Sequence, residues 1–260
     1  MNFQTIKFTI NHNIARLNIN RPHVKNALCM AFFTEFQEII QQISNNAEIE
    51  ILIISGEGDS FAAGADLSEV INMKEEEAYL NSLHVQNSFN KLAHLEIPVI
   101  SVINGFCMGG GLELAMACDI RIASDSALFA MPETKIGICP GGAGTQRLAK
   151  IAGTENAMFY LLSGETFSAD EAARMGIVSK VFPQEELNTG TEKLIKGILR
   201  NSSEASKTIK HLIQISENTD FNFACEQEAK SFAKLITTSG QEGMQAFLEK
   251  RAPNWKKKKE

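Results

Sequence analysis

The chain has 260 residues, with 25 Lys and Arg against 31 Asp and Glu (net charge −6), 44% hydrophobic and 22% charged residues. That length and balance suit a soluble globular protein with a sizeable core, and they supply no global basic field for nucleic acid or an anionic membrane surface. No apolar run is long enough for a membrane-spanning helix, and the N-terminus has neither signal-peptide nor presequence character, so a cytoplasmic location is expected.

In chain order, Thr5 to Ile10 and Ile14 to Ile19 read as two strands around the turn Asn11-His12-Asn13. Phe32, Phe36, Ile39 and Ile43 recur at helical spacing, in a helix ending near Ser44-Asn45-Asn46. Ile51 to Ile54 is wholly apolar, as expected of a strand buried on both faces. A Gly/Ala-rich loop (56 to 66), a polar helical stretch to about Ala93 and a second buried strand, Val99 to Ile103, follow. Beyond another glycine-rich loop, a short apolar helix runs to Cys118 and a strand-like segment spans Ile120 to Ala123. From about Gln184 the segments 186–200, 203–217, 221–236 and 240–250 all read helical. A strand–strand–helix rhythm recurs weakly. These features predict an α/β core over 1–195 and a helical region over 196–260. Five cysteines without C-x-x-C or zinc spacing are expected as reduced thiols, and the basic run Lys256 to Lys259 as a solvated tail.

The most informative window is Ile97 to Cys118, where Glu113 is the only charged residue. A carboxyl in an apolar site has its pKa raised, which suits a general acid or base; the alternative is a Glu on an exposed helix face or in a structural ion pair. Gly109, Gly110 and Gly111 precede that helix, so free backbone N–H groups could hold an oxyanion or phosphate, although tight packing or a turn explains most glycine clusters. The pattern is neither G-x-G-x-x-G nor a P-loop. A second carboxylate, Glu133, follows Pro132 and reads equally as a helix-start glutamate. The run Pro140 to Arg147 leads into an amphipathic helix, on whose surface Arg147 could simply sit.

Taken together, these elements resemble the crotonase (enoyl-CoA hydratase/isomerase) superfamily. The resemblance rests on Leu17-Asn18-Ile19-Asn20-Arg21-Pro22 with Asn26-Ala27-Leu28, the loop Gly56 to Leu67, Asn104 to Ala115 with Cys118-Asp119, Pro132-Glu133 with Gly137 and Pro140 to Arg147, and the terminal Glu242 to Arg251. It spans nearly the whole chain. It implies a spiral of strand-strand-helix units with a helical C-terminal trimerisation region, and a homo-oligomer, trimer or hexamer. By the same resemblance, the N–H groups of Ala65 and Gly110 form an oxyanion hole for a thioester carbonyl. Glu113 activates a water for attack at C3, Glu133 delivers a proton to C2, and the Gly141 N–H helps hold the water. Coenzyme A, as part of the substrate, runs past Ala63, Asp66, Leu67 and Ser68, and Lys25 with a C-terminal lysine meets its phosphates. Neither a metal nor a separate cofactor is implied.

The presence of both acids points to syn hydration of trans-2-enoyl-CoA, in fatty acid β-oxidation or related acyl-CoA catabolism. An enoyl-CoA isomerase or a branched-chain (methylglutaconyl-type) enoyl-CoA hydratase of the same superfamily is the alternative. Met131, Ser68 and Val70 stand where the family often has Gln, Lys and Met, which leaves the acyl specificity open. Some members bind RNA through a lysine-rich first helix, but Ala31 to Ser44 contains no Lys or Arg, which argues against nucleic acid. One Trp and two Tyr give little support to a two-carboxylate glycosidase.

Overall fold

β-Branched and aliphatic runs alternate with amphipathic ones, and each finds its partner in a computed structural model that describes residues 3–255. β1 (Ile6–Asn11) and β2 (Ile14–Ile19) form an antiparallel hairpin whose turn holds His12 at φ 53°. α1 (Met30–Ser44) buries Phe32, Phe36, Ile39 and Ile43 on one face, as their spacing requires. β3 (Ile51–Gly56) pairs in parallel with β2, and after it come β4 (Ser60–Ala62), α2 (Leu67–Val70) and α3 (Glu75–Ala93). β5 (Val99–Ile103), β6 (Phe106–Met108) and α4 (Gly110–Met116) form the next strand–strand–helix unit. β7 (Ile120–Ser124) and β8 (Leu128–Ala130) then lead towards α5 (Gly144–Ala152) and α6 (Thr154–Ser163). β9 (Thr166–Ser168), α7 (Ala169–Arg174) and β10 (Lys180–Phe182) complete the α/β part.

Two sheets result, in the orders β1-β2-β3-β5-β7-β10 and β4-β6-β8-β9. Each of the pairs β3/β4, β5/β6 and β7/β8 sends its first strand to one sheet and its second to the other, and this is the spiral. The Gly56–Asp66 and Asn104–Gly109 stretches, read from sequence as loops, contain β4 and β6. Three residues are too few for a period-two pattern to register. β4, β6 and β8 run parallel, so their C-terminal ends share one edge. Ligand sites in parallel sheets form at that edge.

Close packing constrains α4. A Cβ on Gly111 would lie 2.2 Å from the backbone oxygen of Ala62 and 2.8 Å from its Cβ. Gly111→Ala must therefore push α4 off β4. A loss of about 3 kcal/mol, or on the order of 10 °C in Tm, is expected in a thermal melt. At its other end α4 is closed by the buried Arg121, whose Nη1 donates to Cys118 O at 2.5 Å.

The chain divides into two compact units, one comprising the chain up to Leu95 with Val99–Lys193, the other Glu96–Pro98 with the chain from Leu194 onward. The division falls inside α8 (Leu187–Leu199). The second unit holds α9 (Ser203–Ser216), α10 (Phe221–Thr237) and α11 (Ser239–Leu248). Ser202 caps α9 by accepting from the Ala205 N–H, and Asp220 caps α10 by accepting from the Asn222 and Phe223 N–H groups. Ile213, Phe221, Phe232 and Phe247 in this unit are exposed. Among the described residues no helix is long and apolar enough to cross a membrane. Lys256 to Lys259 lie outside the described residues.

Candidate active site

Three loops leave the shared edge of β4, β6 and β8. The loop after β4 carries Ala63, Gly64, Ala65 and Asp66. It is pinned by a parallel bridge in which the Leu28 N–H donates to Gly64 O (2.8 Å) and the Asp66 N–H donates to Leu28 O (3.0 Å). Strand-like alternation turns the intervening Ala65 N–H the other way. The loop after β6 is Gly109, at φ 48° and ψ −121°, a conformation that glycine alone adopts readily. Gly110 then opens α4, and a first-turn N–H has no preceding turn to bond. Gly110 lies beside the first loop, since a Cβ built on it would come 3.5 Å from Ala65 N. Neither the Ala65 nor the Gly110 N–H donates to an acceptor among the described residues. Two neighbouring free donors can together hold one oxyanion.

Glu113 lies one helical turn into α4 and is 3% exposed. Its Oε1 accepts from the Gly142 N–H at 2.8 Å and the Gly144 N–H at 2.7 Å. Ala143 between them sits at φ 73°, the left-handed conformation that lets successive N–H groups converge on one anion. Burial is the largest influence on this carboxyl and pushes its pKa up to about 7. The Gly144 N–H opposes that, the Glu133 charge adds to it, and the Gly142 N–H and the Arg147 guanidinium oppose it more weakly. Glu133 opens a 3-10 turn (Glu133–Ile136) after β8, with Pro132 as its N-cap. Burial raises its pKa as well, and its Oε2 is buried with no hydrogen-bond partner. Glycine at 109 is what lets it approach, because a Cβ there would lie 2.9 Å from Glu133 Oε1.

Both carboxyls, the two free N–H donors and Gly142 line one cavity of about 960 Å³, together with apolar side chains that include Leu28, Met30, Phe33, Val70, Met73 and Val85. Ala63, Ala65, Asp66, Leu67, Gly110, Glu113, Glu133 and Gly141 are all on its wall, whereas Lys25 and Ser68 are not among its lining residues. Asp66 turns its carboxylate to Arg21 (2.9 Å) and accepts from Ser68 Oγ (2.7 Å), and the Ser68 and Arg21 contacts hold its pKa below the usual value. The Lys25 carbonyl accepts from the Ala63 N–H at 3.0 Å, and its ammonium lies 4.3 Å above the Phe106 ring.

Sequence reasoning missed the frame behind Glu113. The Gly141 carbonyl accepts from Ser82 Oγ (2.7 Å) and Gln86 Nε2 (3.0 Å), both on α3. Arg147 donates to Gly142 O (3.1 Å) and to Asn90 Oδ1 (2.7 Å). The glycine run gave the signal for Gly142 and Gly144. Ser82, Gln86 and Asn90 gave none, because polar residues on a polar helix look like a solvated face. Among the described residues no group of three or more His, Cys, Asp or Glu could hold a metal ion.

Residues 9–258 match the family described as enoyl-CoA hydratase/isomerase. The chain is 39% identical over 257 residues to the crotonyl-CoA hydratase of Syntrophomonas wolfei, covering 98% of this chain and 99% of that one. It is 39% identical over 240 residues to the short-chain-enoyl-CoA hydratase of Clostridium acetobutylicum, covering 92% of each. The crystal structure of an enoyl-CoA hydratase from Bacillus anthracis superposes with a TM-score of 0.93 at 34% identity, over 97% of this chain and 99% of that one.

Proposed function

Because the chain belongs to the enoyl-CoA hydratase/isomerase family, we propose that it adds water reversibly to trans-2-enoyl thioesters of coenzyme A, giving 3-hydroxyacyl-CoA. The observation that carries this reading is the meeting of a buried carboxyl, Glu113, a half-buried one, Glu133, and two unengaged backbone N–H groups on the wall of one cavity. Hydration needs a base and an acid on one face of the double bond, and donors for the oxygen that takes up charge.

In the proposed step Glu113 takes a proton from water as its oxygen bonds to C3. The C2–C3 π electrons move to C2 and onto the thioester oxygen, which lies between the Ala65 and Gly110 N–H groups. Glu133 then gives its proton to C2 as the carbonyl re-forms. Both acids act from the same side, so the addition is syn, and the proton gained by Glu113 balances the one lost by Glu133. Burial raises both carboxyls, and the Glu133 charge raises Glu113 further, so the proton affinity of Glu113 depends on the charge of Glu133. The Gly141 N–H helps seat the water. The pantetheine runs past Ala63, Asp66, Leu67 and Ser68, and Lys25 leaves the Phe106 ring to meet the phosphates. Coenzyme A enters as the carrier of the acyl group, with no separate cofactor.

The test is the disappearance of the enoyl thioester absorbance of crotonyl-CoA. kcat/KM should pass through a maximum: the pair works with one proton, gains a second as pH falls, and loses the last as pH rises through about 7, the value of Glu113 beside a charged Glu133. A protein that leaves crotonyl-CoA and longer 2-enoyl-CoA substrates untouched is not a hydratase.

Three further assignments belong to this reading. The exposed Phe221, Phe232 and Phe247 support a homo-oligomer, trimer or hexamer, which sedimentation mass would check. The free cysteines, three of them buried, support a reducing cytoplasmic setting. The reaction suits fatty acid β-oxidation or a related acyl-CoA catabolic route.

A further inference from the structure

We propose that Asn81 sets the acyl-chain length of the substrate, restricting this enzyme to short 2-enoyl thioesters. The inference rests on the hydratase reading of the cavity. α3 turns Ala78, Asn81, Ser82 and Val85 towards that cavity, one face at the spacing i, i+3, i+4, i+7. Ser82 is committed to the Gly141 carbonyl, and the next residue, Gly142, holds Glu113. This face of α3 therefore borders the Glu113 side of the site, where the chain beyond C3 must go if the pantetheine leaves past Ala63 to Leu67.

The cavity wall carries apolar groups such as Met30, Phe33, Val70 and Val85. Asn81 interrupts them. Its Oδ1 is buried with no partner, and its carboxamide makes no hydrogen bond among the described residues. Nδ2 is not among the buried unpartnered atoms, so the amide meets the cavity through its N–H groups, which the protein leaves unbonded and a water can satisfy. A four-carbon acyl group leaves room in a cavity of about 960 Å³ for such a water. A longer chain displaces the water and lays methylenes on an amide that then bonds to nothing. That penalty works against the gain from burying methylenes and reduces turnover of long chains by about tenfold or more.

The experiment compares kcat/KM for trans-2-enoyl-CoA substrates of four, eight and twelve carbons in the wild type, Asn81→Leu, Asn81→Met and Asn81→Asp, each confirmed as folded by thermal melt. Leu and Met keep the approximate volume of the side chain and remove the amide, and Asp keeps both size and polarity. The eight- to four-carbon ratio should rise at least about tenfold in the Leu and Met variants and stay at or below the wild-type value in Asp. A wild-type ratio in either apolar variant overturns the proposal, as does an equal rise in Asp. Each variant serves alone if the other fails to fold. Failure of the wild type on the four-carbon substrate as well as the longer ones would instead refute the hydratase reading itself, so the two failures are distinguishable.

Discussion

Glu113→Gln should lower kcat for crotonyl-CoA hydration by about 10³-fold or more while making the protein more stable above pH 7. The two effects share one cause. The folded site raises this carboxyl from an ordinary 4.5 to about 7, so between those values the native state binds more protons than the unfolded chain. Stability contributed through this group is therefore lost as pH rises through that window, and the loss is complete above pH 7. The difference corresponds to a cost of about 3 kcal/mol for holding the ionised carboxylate in place. A neutral amide of the same shape escapes that cost and still offers an oxygen to the Gly142 and Gly144 N–H groups. At pH 8 the variant should melt several degrees above the wild type, and at pH 4.5 the gap should close. Paired melts with single-turnover or steady-state hydration at both pH values check the pair of claims. Activity within tenfold of the wild type would remove Glu113 from the mechanism, and a lower Tm at pH 8 would show that the carboxylate stabilises the fold.

Gly110→Pro should cost about 10²–10³-fold in kcat, against less than about tenfold for Gly110→Ala. Proline is tolerated at the first position of a helix, where its missing N–H has no intrahelical partner to lose. A methyl group is also tolerated sterically, because the nearest atom to a Cβ at this position is Ala65 N at 3.5 Å. Both variants thus add bulk at the start of α4, but only proline deletes the donor proposed to meet the thioester oxygen. The enolate is more basic than the ground-state carbonyl, so the loss should appear mainly in kcat with little change in KM. Similar rates for the proline and alanine variants, with both folded, would mean that the thioester oxygen lies elsewhere.

Several features of this protein were decided by local patterning and were readable without coordinates. The apolar runs at Ile51 to Ile54 and Val99 to Ile103 have no face to offer water, and both are central strands of the first sheet. Glu113, alone among apolar neighbours, could be singled out because an isolated charge in such a window demands a reason. The four C-terminal helices were legible from their spacing. The three-residue strands that make the second sheet were not, since their pairing energy comes from partners some tens of residues away.

Tertiary structure alone decided where those loops converge. Chain order does not reveal that Ala65, Gly110 and Glu133 share one edge; the parallel pairing of β4, β6 and β8 puts them there. Nor does it reveal that Gly142 and Gly144 solvate Glu113, or that Ser82 on a polar helix holds their loop in place. Residue types set which chemistry is available, because ionisation and backbone freedom are local properties. Distance, burial and the raised carboxyl pKa exist only once separate segments exclude water together.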